Sequence, residues 1–113
     1  MKIWYNVEIQ MAGENERTYD LDEELGRELG FVEDDIDERE SYRMTAIFTS
    51  EATPGKMKLD VIRLLQRHPE IHYIDVMFRY DSENVPDRFV VWQDGRVQDY
   101  KGRIVFEEDF DHE

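Results

Sequence analysis

Two histidines have the spacing of metal ligands. His68 and His72 lie four residues apart, which places two ligands on one face of a helix. Pro69 lies between them, however, and a proline inside a helix removes a backbone hydrogen bond and clashes with the preceding turn. The chain has no cysteine and no third ligand in register, so the histidines do not predict a zinc site. We expect His68 at the end of a helix, beside the helix dipole, and His72 on the surface of a strand.

The 28 acidic residues include no recognisable catalytic pair. A general acid and base need two carboxyl groups in a pocket that separates their pKa values, and no pair is marked in this way. The segment from Asp81 to Asp87 loosely resembles a calcium loop but lacks the central glycine and the glutamate at the twelfth position. The serines lack the context of a nucleophile elbow. We therefore expect a protein that is not an enzyme and has no cofactor or metal.

Direct binding to nucleic acid is not expected either. The segment from Lys101 to Phe106 is faintly similar to the basic-glycine-aromatic strand of RNA recognition domains. The aromatic second residue after its glycine is missing, and the acidic residues from Glu107 to Asp109 would repel a phosphate chain. A net charge of −14 also disfavours binding to nucleic acid phosphates or anionic lipid.

The acidic residues are concentrated in two segments. Residues 14–40 hold 13 acidic residues and three arginines, a net charge of −10. Residues 107–113 add five acidic residues and no lysine or arginine. Residues 41–106, in contrast, hold nine acidic and ten basic residues. The chain is therefore a nearly neutral scaffold that carries two strongly negative segments.

We interpret the first segment as a surface that binds a basic protein. Like charges at this density destabilise a folded chain, and solubility alone would be met by scattered charges. Acids three or four apart on a helix lie about 5–6 Å from each other, and duplex DNA carries one charge per roughly 1.7 Å of axis. The segment can thus present a comparable line of charge. The predicted partner-binding residues are Asp20, Asp22, Glu23, Glu24, Glu28, Glu33, Asp34, Asp35, Asp37, Glu38 and Glu40. The alternative is a solvated acidic face with no partner.

Hydrophobic periodicity predicts the elements that position these residues. Apolar and polar residues alternate, or β-branched and aromatic residues cluster, over residues 3–11, 43–50, 71–80, 88–93 and 96–100, with a short strand at 103–106. Helices are predicted over residues 21–29, with Asp20 as N-cap and Gly30 after the end, and from Pro54 to the residue before Pro69. For residues 32–40 the pattern is compatible with a loop or a frayed helix.

This order predicts an α+β two-layer sandwich in which two helices pack on a mostly antiparallel sheet of four or five strands. A ferredoxin-like arrangement fits best, because a helix-strand unit is followed by a hairpin. We expect one domain over residues 1–106, with an acidic insertion at 14–40 and an acidic C-terminal tail at 107–113. The chain has no signal-peptide pattern and no apolar run that spans a membrane, so we expect a cytoplasmic monomer or homodimer.

The acidic runs 14–40 and 107–113 give the chain a compositional resemblance to a known class of proteins. Small, cysteine-free, acidic α+β domains of this size resemble the anti-defence proteins of phages and mobile elements, anti-CRISPR and anti-restriction inhibitors that imitate DNA charge. Residues 59–97, with HPEI, MFRYDSE and VVWQDGRV, are faintly similar to ferredoxin-like domains encoded on phages and plasmids. The resemblance implies an inhibitor that enters a basic nucleic-acid-binding groove of a host defence protein.

Four aromatic residues are the expected apolar anchors of such an interface if they lie exposed beside the acids: Trp4, Tyr42, Tyr73 and Trp92. Two other functions share parts of the pattern. An immunity or antitoxin protein would plug the active site of a basic toxin or nuclease with the same charges. A small carboxylate-metal enzyme or sensor would instead gather side chains of shifted pKa in a concave pocket.

Overall fold

The computed structural model describes residues 2–13, 17–80 and 85–101. In chain order its strands and helices are β1 (Ile3–Met11), α1 (Asp22–Leu29), β2 (Ile36–Glu40), β3 (Arg43–Ser50), α2 (Pro54–Arg67), β4 (Ile71–Tyr80), β5 (Asp87–Trp92) and β6 (Val97–Tyr100). Two single 3-10 turns, Thr18–Asp20 and Glu33–Asp35, precede α1 and β2. The strand predicted at 103–106 and the tail at 107–113 lie outside the described residues.

The six strands form one sheet in the order β2-β3-β1-β4-β5-β6, and every neighbouring pair is antiparallel. Both helices pack on the same face, which confirms the predicted α+β class with more strands than expected. The run β1-α1-β2-β3-α2-β4 is compatible with the predicted ferredoxin-like arrangement, and β5 and β6 extend the sheet beyond β4.

Strand β1 lies at the centre of the core. Every second side chain from Ile3 to Met11 is buried against the helices, while the intervening ones face the other way. Tyr5 stacks on Phe48 of β3 with ring centroids 5.7 Å apart, and its hydroxyl donates a hydrogen bond to the carbonyl oxygen of Ala52. Burial raises the pKa of the Tyr5 hydroxyl far above its usual range. The alternation seen in the sequence therefore fixes which sheet face the helices cover.

Helix α2 forms as its sequence predicts. Pro54 takes the first helical position, and the Thr53 hydroxyl accepts a hydrogen bond from the backbone N–H of Lys56. The side chains spaced for one helix face are buried against the sheet and α1: Met57, Val61, Leu64 and Leu65. The helix ends at His68, as expected from the proline that follows.

Helix α1 begins differently from its prediction. Asp20 belongs to the 3-10 turn, and Leu21 takes the N-cap position without a side-chain hydrogen bond, so the predicted capping role of Asp20 is wrong. The predicted C-terminal residue is confirmed, because Gly30 adopts the left-handed conformation with φ of 101°. Beside it, the helical Gly26 lies so close to Phe31 that an added Cβ would be 2.5 Å from the Phe31 carbonyl oxygen.

The prediction of a loop or frayed helix over residues 32–40 is wrong for its second half. Residues 36–40 form β2, an edge strand paired with β3. Between Ile36 and Glu38 the register shifts, because Asp37 is an extra residue opposite β3 and forms a β-bulge. Only Ile36 packs against the core, whereas Val32, four residues before it, is 64% exposed.

Candidate acidic binding surface

The structure places the eleven predicted partner-binding residues on four consecutive elements around the β2 edge of the sheet. One lies in the Thr18–Asp20 turn, four on α1, three in the Glu33–Asp35 turn and three on β2. Thr18 is buried, and its hydroxyl donates a hydrogen bond to the carbonyl oxygen of Glu40, so the first turn is held against β2. The eleven carboxylates nevertheless fall into two groups that differ in their partners.

Asp22 is engaged within the molecule. Its carboxylate lies 2.6 Å from a guanidinium nitrogen of Arg39, and both side chains are about one quarter exposed. Arg39 also lies over the ring of Tyr19, 5.8 Å from the ring centroid. The only other carboxylate near Arg39 among the described residues is that of Glu33, which is 4.0 Å away and 80% exposed. Asp22 is therefore the principal anion for a partly buried cation and connects α1 to β2.

Glu24 connects α1 to α2. Its carboxylate lies 2.9 Å from Nε2 of His68, whose Nδ1 lies 3.2 Å from the carboxylate of Glu70. The hydrogen bond from His68 holds the pKa of Glu24 below its usual value. Glu28 lies 3.6 Å from Arg67 and adds to the same contact.

Two further acids are also paired. Glu38 lies 2.8 Å from Arg43, which contacts Glu8 on the neighbouring strand at 3.1 Å. These two hydrogen bonds raise the pKa of the Arg43 guanidinium, and the bond to Glu38 has the larger effect. Asp35 accepts a hydrogen bond of 2.9 Å from the backbone N–H of Val32 and so closes its own turn. Five of the eleven predicted residues thus have structural partners.

The remaining six acids point into solvent, and we call this group the acidic edge: Asp20, Glu23, Glu33, Asp34, Asp37 and Glu40. Apart from the 4.0 Å approach of Glu33 to Arg39, the described residues offer their carboxylates no hydrogen bond or ion pair. All six are exposed. The acidic edge therefore carries negative charge that the described part of the fold leaves unneutralised.

A groove of about 640 Å³ separates α1 from the Glu33–Asp35 turn and β2. Its lining residues are Asp22, Glu23, Gly26, Arg27, Phe31, Val32, Glu33 and Ile36. The wall thus combines three carboxylates and the guanidinium of Arg27 with apolar side chains, of which Val32 is largely exposed. An aliphatic chain that ends in a cation, such as a lysine or arginine, matches both parts of this lining.

The chain matches no protein-family model, no curated protein and no solved structure. Within residues 2–13, 17–80 and 85–101, no group of three or more histidine, aspartate or glutamate side chains is arranged to hold a metal ion. Over the same ranges, no helix is long and apolar enough to cross a membrane.

The expected aromatic anchors lie mostly elsewhere. Trp4, Tyr73 and Trp92 are on the sheet face that points away from the helices, so these three do not meet the condition of lying beside the acids of α1. Tyr42, in the turn between β2 and β3, is next to Glu40 in the chain and 38% exposed. Near the acidic edge, Tyr19 (44% exposed) and Val32 (64% exposed) are apolar contacts that the sequence analysis did not identify. The feature of the sequence that could have indicated them is an apolar residue inside an acidic run.

Proposed function

We propose that the protein is a non-enzymatic inhibitor whose acidic edge binds the basic groove of a nucleic-acid-binding protein and competes with nucleic acid there. The observation that supports this best is the separation of the acids into two groups. Five predicted residues are engaged with cations or backbone. Six from the same short part of the chain remain exposed, and among the described residues their one ion-pair contact is the 4.0 Å approach of Glu33 to Arg39. A folded chain that only needed charge for solubility would gain nothing from this local density.

The compositional resemblance to anti-CRISPR and anti-restriction inhibitors supports a host defence effector as the partner class. Long-range attraction between a chain of net charge −14 and a lysine- and arginine-lined groove accelerates association. Because this attraction is screened by ions, the affinity is expected to fall as salt rises. The groove beside α1 gives one partner cation a specific place to bind.

A second candidate function is an immunity or antitoxin protein that plugs a basic toxin or nuclease. The groove favours it, since carboxylates and apolar residues around one depression suit the insertion of a single catalytic lysine or arginine. Competition separates the two functions. Double-stranded DNA of any sequence displaces a DNA mimic, whereas an immunity protein titrates one toxin in a one-to-one ratio.

The test combines capture of partners from host lysate at low and high salt with two charge-matched variants. The first variant neutralises four members of the acidic edge: Glu23→Gln, Glu33→Gln, Asp34→Asn and Asp37→Asn. The control removes the same four charges from the C-terminal segment: Glu107→Gln, Glu108→Gln, Asp109→Asn and Asp111→Asn. At roughly 0.5 kcal/mol for each exposed charge, the first variant binds the captured partner about thirtyfold more weakly.

We expect the control variant to retain most of the affinity, because its acidic edge is intact. Equal losses in both variants would mean that net charge, and not this surface, drives binding. An unchanged affinity in the first variant would reduce the acidic edge to a solvated face.

A further inference from the structure

The sheet face that points away from the helices, here called the open face, has no covering layer among the described residues. The even-numbered side chains of β1 and the odd-numbered side chains of β3 and β4 point to it. Its larger side chains are Trp4, Ile47, Tyr73, Met77 and Trp92, and Val90 also points to this face but is only 3% exposed. We propose that the open face binds a second copy of this chain, face to face, to form a symmetric homodimer.

The composition of the open face is that of an interface core. Tryptophan, tyrosine, methionine and arginine are enriched at the centres of protein interfaces, whereas lysine and glutamate are depleted there. Ile47 and Met77 lie on either side of Asn6 in the middle of the sheet, and Ile47 is 36% exposed. The centre is thus uncharged and partly apolar, while ionised residues lie around it.

The charges on the open face favour self-association there over self-association through the acidic edge. On its four central strands, β3, β1, β4 and β5, it carries two carboxylates, Glu8 and Asp75, and three arginines, Arg43, Arg79 and Arg88. Two copies of a chain with net charge −14 repel each other when their acidic edges meet. On these four strands the opposite charges are nearly balanced, and β2 adds the carboxylates of Glu38 and Glu40 at one margin of the open face.

Two polar atoms on the open face lack partners. The hydroxyl oxygen of Thr45 and the Nε of Arg79 are buried without a hydrogen bond, and they are two of the three such side-chain atoms found within the described residues. Buried polar groups in folded proteins are normally paired, and an unpaired one costs free energy. Both atoms are shielded from solvent by neighbouring side chains, so a second copy reaches them only where those side chains move aside.

The same face is a poor platform for nucleic acid. Arg88 is held by a forked contact to Asp75, with bonds of 2.9 to 3.2 Å, and Arg43 is bound to Glu8. The guanidinium of Arg79 covers the ring of Trp4 at 4.6 Å from its centroid. Single strands need free cations for phosphates and free aromatic faces for bases. Here two arginines are held by carboxylates, and the third is stacked on Trp4.

The area of the open face is adequate for a dimer. Six strands spaced about 4.8 Å apart, with central strands of eight to ten residues, define a face of roughly 700 Å². A specific protein interface buries about 800 Å² on each partner. Side chains that project beyond the strands supply the remaining area.

The test measures the mass of the intact chain by sedimentation equilibrium, at concentrations up to about 100 µM and in about 0.05 M and 0.5 M NaCl. We expect a dimer of twice 13.7 kDa whose dissociation constant falls about tenfold at the higher salt, because ions screen the repulsion between acidic surfaces. Ile47→Lys places a cation at the centre of the face and is expected to give a monomer. Leu59→Lys, an exposed residue on the opposite layer, is the matched control and keeps the dimer.

A monomer under all these conditions overturns the proposal, as does a dimer that Ile47→Lys leaves unchanged. Binding of a fluorescent single-stranded oligonucleotide that Ile47→Lys strengthens, through the cation added to the open face, also overturns it in favour of a nucleic-acid platform. The outcome is independent of the proposed function, because partner binding weakens with salt whereas self-association strengthens.

Discussion

Neighbouring acids in the first turn of α1 allow a sharp test of which carboxylates support the fold. Asp22 and Glu23 both face the positive end of the helix dipole, but only Asp22 is paired with Arg39. Asp22→Asn and Glu23→Gln therefore remove the same charge from nearly the same field. Any difference between the two variants in the free energy of unfolding reports on the contact with Arg39.

The expected magnitude follows from the geometry of that contact. Exposed ion pairs contribute about 0.2–1 kcal/mol, and hydrogen bonds to charged groups about 1.5–3 kcal/mol. At 2.6 Å and with side chains one quarter exposed, the Asp22–Arg39 contact lies between these cases. We expect Asp22→Asn to lower the free energy of unfolding by about 1.5 kcal/mol. Glu23→Gln loses the interaction with the helix dipole but also removes repulsion from neighbouring acids. Because these two effects nearly cancel, we expect the free energy of unfolding to change by less than roughly 0.5 kcal/mol.

Urea unfolding followed by tryptophan fluorescence measures both free energies, with the slope checked to be unchanged. In a thermal scan, Asp22→Asn should lower the midpoint by about 6 °C for a domain of this size. A double-mutant cycle with Arg39→Met isolates the pairwise term, which we expect at about 1 kcal/mol. Equal losses of stability in the two acid variants, or a coupling near zero, would refute the division into paired acids and acidic edge.

Three further predictions concern the elements that hold the acidic segment. Gly26→Ala should lower the free energy of unfolding by about 1–3 kcal/mol in urea titrations. Alanine favours helices, but its Cβ would meet the Phe31 carbonyl oxygen. Gly55→Ala, which has open space around the added Cβ, is the control and should not destabilise the fold. The pKa of Glu24 is lowered on folding, so its ionised carboxylate stabilises the fold. This stabilisation is present at pH values above the usual pKa of 4.5 and is lost as the pH falls through the lowered pKa. The stability difference between wild type and Glu24→Gln should therefore be present at pH 7 and shrink as the pH falls below 4.5 and through the lowered pKa. Thr53→Ala removes the cap of α2 and should cost about 1 kcal/mol in urea titrations.

The strands and helices with regular apolar spacing could be predicted from the sequence. Alternation over Ile3–Met11 and the i, i+4, i+7 pattern of α2 determine which side chains are buried, because burial is what creates those periods. The edge strand β2 could not be predicted in this way. Its sequence IDERE has one apolar residue, since an edge strand with a bulge needs little burial to pair with its neighbour.

The candidate site was predicted only as a set of acids. Which of them are paired depends on contacts between residues distant in sequence, such as Glu24 with His68 on the next helix and Asp22 with Arg39 on β2. Charge spacing along the chain contains no information about these pairs. The sequence likewise left open whether the aromatic residues lie beside the acids. The strand alternation that turns Trp4 away from the core also places it away from α1.

The bulge at Asp37 has a consequence for how the sheet ends. An edge strand presents unpaired backbone groups that can recruit a strand from another molecule, and this is a common route to aggregation. In β2 the extra residue interrupts the hydrogen-bonding ladder, and Glu38 and Glu40 place carboxylates along the same short strand. A second chain docking there would meet broken register and like charge together. The segment that makes this protein so acidic therefore also terminates one side of its sheet and disfavours strand addition at that edge.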